Sequence, residues 1–244
     1  MAKRVLLVVG GSRGIGAAVA RAAAANGFHV VLTYARGETQ ALQVVRGIES
    51  AGGTASAVHA DTAVEQDIEG LFSQVDQIGP LASMVYSSGV TGPVSRLADA
   101  PTDALRQVLD VNVLGALLCA RAAIQRMSTR RGGQGGSIVF ISSRASVYGS
   151  PREFVWYAAS KGAIDSLVIG LARETGVDGI RVNAVSPGPI DTDMLSQAKR
   201  DAVPAVSPLA RMGTVDEVAA AVMFLVSDGA SYVTGANLPV SGGL

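Results

Sequence analysis

Short runs of aliphatic and β-branched residues recur along the chain at Val5–Val9, Val30–Tyr34, Thr54–His59, Ala82–Tyr86, Ser137–Ile141, Arg181–Val185 and Asn237–Val240. The early runs are almost unbroken in apolar residues, as strands covered on both faces must be. Between them, alanine-rich stretches with helical periodicity predict helices near 14–26, 38–51, 64–79, 102–128, 155–176 and 214–227. This alternation predicts repeated βαβ units: an α/β fold with a doubly wound parallel sheet and helices on both faces. Gly27 and Gly52-Gly53 stand where helix C-caps are expected. The segment from Pro187 to Met212 holds four prolines and breaks the rhythm. A long insertion after a strand's carboxyl end predicts a substrate lid, at about 188–212. With no internal repeat and no linker, residues 1–244 read as a single dinucleotide-binding catalytic domain.

Composition narrows the class. A chain of 244 residues, 48% hydrophobic and 16% charged, is long and apolar enough to bury a large core rather than stay disordered. Formal net charge is +0 and no basic cluster is interleaved with aromatics, which argues against nucleic acid as a partner. Arg126, Arg130 and Arg131 read as a solvated helix end. Cys119 is the sole cysteine, so an intramolecular disulfide and a cysteine metal cluster are both excluded. Lys3 and Arg4 precede an apolar run too short for a signal peptide, and no apolar run approaches the roughly 18 residues of a membrane span. The expectation is a cytoplasmic protein with no membrane partner and no metal site.

The first strand ends in a glycine-rich corner that admits two readings. Gly10-Gly11-Ser12-Arg13-Gly14 fits the G-x-S-x-G elbow of serine hydrolases. That elbow needs a late histidine, and His29 and His59 are the only histidines in the chain. The hydrolase reading fails on inventory. Gly10, Gly14 and Gly16 instead allow a tight turn, a close backbone approach and close packing of the following helix. The N-terminus of that helix favours a pyrophosphate, with the Ser12 hydroxyl a further donor.

A dinucleotide site calls for redox chemistry nearby. Tyr157 and Lys161 stand at i and i+4, neighbours on one helix face. A phenol with a pKa near ~10 is a poor acid–base catalyst at neutral pH, and an adjacent ammonium is expected to draw it down. Lys3, Lys161 and Lys199 are the only lysines among 20 basic residues, so Lys161 stands out in an arginine-biased chain. Ser142-Ser143 ends the fifth strand, where ligands of open α/β sheets bind. One of the pair is expected to orient a substrate carbonyl and the other to satisfy the turn; Ser142 is assigned to the turn. Asn112, a polar residue in an apolar helix, serves either a structural hydrogen bond or a proton relay.

Over nearly its whole length the chain resembles the short-chain dehydrogenase/reductase family. The resemblance rests on Gly10-x-x-x-Gly14-x-Gly16, Asp61, Ser88-Gly89, Asn112, Ser143, Tyr157-x-x-x-Lys161, Pro187-Gly188 with Thr192, and the tail SYVTGANLPVSGG. It implies a seven-stranded Rossmann-type sheet and nicotinamide-dependent carbonyl–alcohol chemistry. Tyr157 would be the general acid in reduction and the base in oxidation. Lys161 would lower its pKa and hold the nicotinamide ribose, Ser143 would orient the carbonyl, and Asn112 would hold a relay water. Gly10, Ser12, Arg13, Gly14, Ile15, Gly16, Arg36, Asp61, Thr62, Ser88 and Gly89 would bind the cofactor, with Asp61 by the adenine. Pro187, Gly188, Ile190 and Thr192 would line the nicotinamide. The chain departs from the family in having Val9 for a usual threonine and Tyr86-Ser87-Ser88-Gly89 for a usual Asn-Asn-Ala-Gly, which removes an amide thought to brace the sheet. It also has about one extra residue between Ser143 and Tyr157.

After the second strand, Arg36 together with Arg13 offers two guanidiniums, and no carboxylate stands at the position that would accept a ribose 2′-hydroxyl. That suits a 2′-phosphate, so NADP(H) is expected rather than NAD(H). Glu38 is expected to open the next helix. Val90, Val94, Phe154, Trp156, Met194 and Leu195 predict an apolar or amphipathic carbonyl substrate, and the pattern resembles 3-oxoacyl-carrier-protein reductases and related sugar or steroid dehydrogenases. Small residues on the helices near 102–128 and 155–176, such as Ala158, Ala159, Gly162 and Ala163, imply by the same resemblance a homodimer or homotetramer. A non-catalytic dinucleotide sensor on this fold would be expected to have lost Tyr157 or Lys161, and both are present.

Overall fold

The first strand, β1 (Val5–Val9), shows why this chain builds a two-faced sheet. Leu6 and Val8 point to one side, Val5, Leu7 and Val9 to the other, and all five are fully buried. Such a strand is stable only between two layers, each buried Val or Leu contributing about 1.5–3 kcal/mol. The computed structural model describes residues 4–192 and 197–244. After β1 the chain runs through α1 (Gly14–Ala25), β2 (His29–Tyr34), α2 (Glu38–Ser50), β3 (Thr54–His59), α3 (Glu65–Ile78) and β4 (Leu81–Tyr86). It continues through α4 (Thr102–Leu109), α5 (Gly115–Met127), β5 (Gly136–Ile141), α6 (Ala145–Tyr148), α7 (Val155–Thr175) and β6 (Ile180–Pro187). The last elements are α8 (Gln197–Val206), α9 (Val215–Val226) and β7 (Asn237–Val240).

The seven strands are all parallel, in the order β3-β2-β1-β4-β5-β6-β7. The order reverses between β1 and β4, which leaves a crevice at their carboxyl ends, the place where open sheets of this kind bind ligands. On one face, Val5, Leu7, Met84, Ile138 and Phe140 pack with Phe72 of α3, Cys119 of α5 and Ile164 of α7. On the other, Leu6, Val8, Leu32, Val85 and Val139 pack with Val19 of α1, Val44 of α2 and Val222 of α9. Thr214 caps α9, accepting from the Glu217 amide while the Glu217 carboxylate accepts from the Thr214 amide.

Several expectations need correction. The single helix expected over 102–128 is interrupted by a π turn, Asp110–Leu114, between α4 and α5. Taken end to end, Thr102–Met127 is long and apolar enough to cross a membrane by length and composition, although its apolar residues form no unbroken run. Here it lies against the sheet and buries Val108, Ala116, Cys119, Ala123 and Met127. The proline-rich segment after β6 is not without structure: it carries α8, with Pro204 inside that helix. Its ends are tied together, because Asp191 and Gly213 exchange backbone contacts with Gly213 and Pro189 in a short bridge. Met194 and Leu195 lie outside the described residues. Arg126 is not merely solvated: both its Nε and Nη2 donate to the Asp76 carboxylate at 2.8 Å, and its guanidinium lies over the Phe72 ring.

Candidate active site

The corner after β1 is a cradle of backbone. Gly10 has φ +83°, and a Cβ there would lie 2.7 Å from the Ser88 amide nitrogen. A Cβ on Gly16 would lie 2.1 Å from the Gly10 carbonyl oxygen. No side chain larger than hydrogen fits either position. Gly11, which motif spacing did not single out, is equally confined, since its Cβ would meet Leu32 Cβ at 2.6 Å. Arg13 stands extended at the start of α1 with no side-chain cap, so the first-turn N–H groups are left to another acceptor. Thr33 supplies a hydroxyl that accepts from the Gly10 amide at 2.9 Å, a contact from β2 where Val9 offers none.

The other expected cofactor residues cluster around this corner. Ser12 is half-buried and Arg13 exposed, Ile15 packs against the core of the α1 face, and Thr192 approaches Gly14 from the loop after β6. Asp61 sits at the end of β3, where its Oδ1 accepts from the Ala63 amide, and Thr62 beside it is buried. Arg36 is exposed beyond β2. Glu38 opens α2, and desolvation together with the Glu38 charge holds the Tyr34 phenol above its ordinary range. Gly188 packs on Ser241, Ile190 is buried, and Pro187 ends β6.

Next to the cradle, β4, the π turn, β5 and α7 bring the chemical groups together. Asn112 is buried; its Oδ1 accepts from the Val90 amide at 2.8 Å, and its Nδ2 donates to the Val90 carbonyl and to Ser160 Oγ, both at 2.9 Å. Gly89 fits between Asn112 and Lys161: a Cβ there would stand 3.5 Å from Asn112 Oδ1 and 3.4 Å from Lys161 Nζ. The Ser143 side chain stands by the Tyr157 phenol, whose pKa it draws down, and its hydroxyl accepts from the Ala145 amide at 3.1 Å. Ser142 is buried and donates to Asp165 Oδ1 at 2.5 Å, with Asn237 Nδ2 donating to the same oxygen at 2.7 Å. Ser142 is therefore bound into the scaffold, whereas Ser143 is the serine at the phenol. Between Ser143 and Tyr157, Ser150 and Arg152 take left-handed φ of 44° and 67°.

Lys161 is 4% exposed, so its charge matters. Nζ donates to the Ile141 carbonyl at 2.7 Å and lies over the Tyr157 ring, 5.6 Å from the centroid. Burial pushes its pKa down from the ordinary 10.5 to about 8, against the opposing pull of Asp165. The expected lowering of the Tyr157 pKa by Lys161 does not hold. Burial raises the phenol, Ser143 alone opposes, and the ammonium sits over the ring rather than on the hydroxyl. Phe154 meets the Tyr157 ring edge-on, centroids 5.7 Å apart. Trp156, expected as a substrate wall, is instead core, its indole N–H donating to the Thr91 carbonyl at 2.8 Å.

Comparison with known proteins places the chain in a family. A family profile described as enoyl-(acyl carrier protein) reductase matches residues 9–244. The uncharacterized oxidoreductase YgfF of Escherichia coli (strain K12) is 42% identical, with 98% of this chain and 99% of that protein covered. An L-rhamnose 1-dehydrogenase (NAD(P)(+)) of Sphingomonas sp. (strain SKA58) is 37% identical, with 99% and 96% covered. Among solved structures, a blue fluorescent protein from a metagenomic library, in complex with NADPH, is 34% identical with a TM-score of 0.91 over 98% of this chain and 97% of that one. With matches across its whole length and this sheet order, the chain belongs to the short-chain dehydrogenase/reductase family of oxidoreductases, which act on alcohols and carbonyls.

Proposed function

We propose that the protein is an NADP(H)-dependent oxidoreductase in which Tyr157 is the general acid for carbonyl reduction and the general base for alcohol oxidation. One observation carries the reading: the Tyr157 hydroxyl, next to Ser143, stands one helical turn from a buried Lys161, beside the crevice at the carboxyl ends of β1 and β4. The cradle fits a dinucleotide, because Gly10 and Gly16 leave room for backbone only and the first turn of α1 lacks a capping side chain. In this reading Gly10, Ser12, Arg13, Gly14, Ile15 and Gly16 hold the pyrophosphate, and Asp61, Thr62, Ser88 and Gly89 hold the adenosine side. Pro187, Gly188, Ile190, Thr192 and Lys161 hold the nicotinamide side. The bound cofactor supplies the hydride. Ser143 orients the carbonyl oxygen, Tyr157 gives it a proton, and Asn112 fixes the Gly89–Val90 backbone alongside. Tyr157, a phenol whose pKa burial raises further above its ordinary 10, is protonated at neutral pH, which is the form that reduction requires.

The preference for NADP(H) rests on exposed Arg13 and Arg36, and on Glu38 being engaged with Tyr34. The NADPH complex of the related blue fluorescent protein supports it. Arg36→Ser is expected to weaken NADPH binding about tenfold and NADH binding hardly at all, as loss of one charge-assisted contact would. Fluorescence titration decides this, and tighter binding of NADH than NADPH by the wild type would show the assignment to be wrong. Phe154 against the Tyr157 ring, and Val90 held by Asn112, suit an apolar or amphipathic carbonyl compound, with 188–212 as the lid over it. We place the protein in the cytoplasm.

We further propose a homodimer, built into a homotetramer, through the outer face of α5 and α7. Leu117 and Ile169 are exposed there, and Val113, Leu117, Ala163 and Leu167 line a shallow hollow. Ala158, expected on that face, is buried within the subunit, whereas Ala159 is exposed. Light scattering is expected to return a tetramer or dimer; a monomer at micromolar concentration removes the claim.

A further inference from the structure

We propose that Tyr86 is a positioning residue, whose buried hydroxyl holds the π turn Asp110–Leu114 and thereby fixes where the Asn112 amide sits. The inference rests on the reading that the crevice around Asn112, Lys161 and Tyr157 serves the reaction. Tyr86 ends β4 and is 2% exposed, so its hydroxyl must find a partner inside the protein. It donates to the Val111 carbonyl at 2.5 Å. Val111 lies in the π turn, where the Gly115 amide reaches back to the Asp110 carbonyl. A π turn of this kind is uncommon and needs outside contacts to hold it.

The junction is built for close approach. A Cβ on Gly115 would stand 2.8 Å from the Tyr86 hydroxyl and 2.6 Å from the Thr62 carbonyl, so only glycine lets the three segments meet. The Thr62 side chain meets the same point, its Cβ lying 2.8 Å from where a Cβ on Gly115 would stand, which links the corner after β3 to the junction. On the sheet side Tyr86 is anchored by its register with Val9 and by packing against Phe140. Asn112 follows Val111 directly and clamps both polar groups of the Val90 backbone. The adjoining Gly89 touches the space between Asn112 Oδ1 and Lys161 Nζ. The family usually has asparagine where Tyr86 stands. Here the longer phenol reaches across to the helix, so removing its oxygen should let the π turn relax and Val90 loosen.

Tyr86→Phe removes that oxygen and little else. Amide hydrogen exchange is expected to run about tenfold faster at Val90 in the variant, while Ser87, bonded to the Val9 carbonyl in the strand ladder, is unchanged. With NADPH and acetoacetyl-CoA, kcat is expected to fall about tenfold with KM and NADPH affinity within about twofold. In an Asn112→Ala background the same change should cost no further kcat, because the two residues act through one geometry. A variant that melts earlier yet keeps Val90 exchange and kcat at wild-type values overturns the proposal and leaves Tyr86 a core residue. Should Asn112→Ala leave kcat untouched, the reading of Asn112 in the reaction fails instead, and Val90 exchange still judges Tyr86.

Discussion

Tyr157→Phe is expected to lower kcat about 10²–10⁴-fold while the Kd for NADPH stays within about twofold. The ring keeps its edge-on packing with Phe154 and its place under the Lys161 ammonium. What disappears is the hydroxyl beside Ser143. In carbonyl reduction that hydroxyl is the proton source, and water is a poor substitute in a buried site. The phenol, whose pKa burial raises further above its ordinary range, is protonated at neutral pH, and reduction needs no prior ionisation. Steady-state kinetics and a fluorescence titration on the same preparation separate the two effects. Equal losses in kcat and in NADPH affinity would point to a displaced cofactor rather than a missing acid.

Lys161→Met is expected to separate stability from activity. The side chain is 4% exposed, and burial pushes its pKa from 10.5 down to about 8, so folding disfavours its charged form by on the order of 3 kcal/mol. Methionine fills a similar volume without the charge. The lost Nζ donation to the Ile141 carbonyl returns about 1–1.5 kcal/mol of that gain. Asp165 stays partnered by Ser142 and Asn237. The variant should therefore melt a few degrees higher at pH 7 and yet, without the ammonium that holds the nicotinamide side in the proposed reading, lose about 10²-fold in kcat. The sign follows from proton counting. Between about pH 8 and the ordinary lysine range the unfolded chain binds more protons than the folded one, so wild-type stability rises with pH there and the variant's advantage shrinks. Reduction by the wild type should also fall off above about pH 8 as Lys161 deprotonates, a limb absent from the variant. Thermal melts across pH 6–11 and a pH–rate profile check both. A variant less stable than wild type at pH 7 would contradict the argument.

The strands were legible because both of their faces are buried: a run such as VLLVV leaves no other placement. The glycine corner and the Tyr157–Lys161 pair were legible because their chemistry lives in local spacing. Features set by distant partners were not. The π turn at Asp110–Leu114 is held by Tyr86, which lies 25 residues away in sequence from its acceptor Val111. Ser142 and Ser143 look alike in the chain, and only Asp165 on α7 distinguishes them. The direction of the Tyr157 shift was misjudged because i, i+4 spacing fixes which residues are neighbours. It does not fix which atom of the ring the ammonium meets. α8 was hidden by Pro204, which lacks a backbone donor and so argues from sequence against a helix there.

The most direct test mixes enzyme in excess over NADPH with a panel of carbonyl compounds, comprising an acetoacetyl thioester, a quinone, a keto sugar and a ketosteroid. Oxidation of the bound nucleotide is followed in a single turnover. The account predicts rapid oxidation with at least one of them by the wild type, and none on the same timescale by Tyr157→Phe carrying a full complement of NADPH. Equal rates in the two proteins, or tight NADPH binding with no turnover anywhere in the panel, would contradict it.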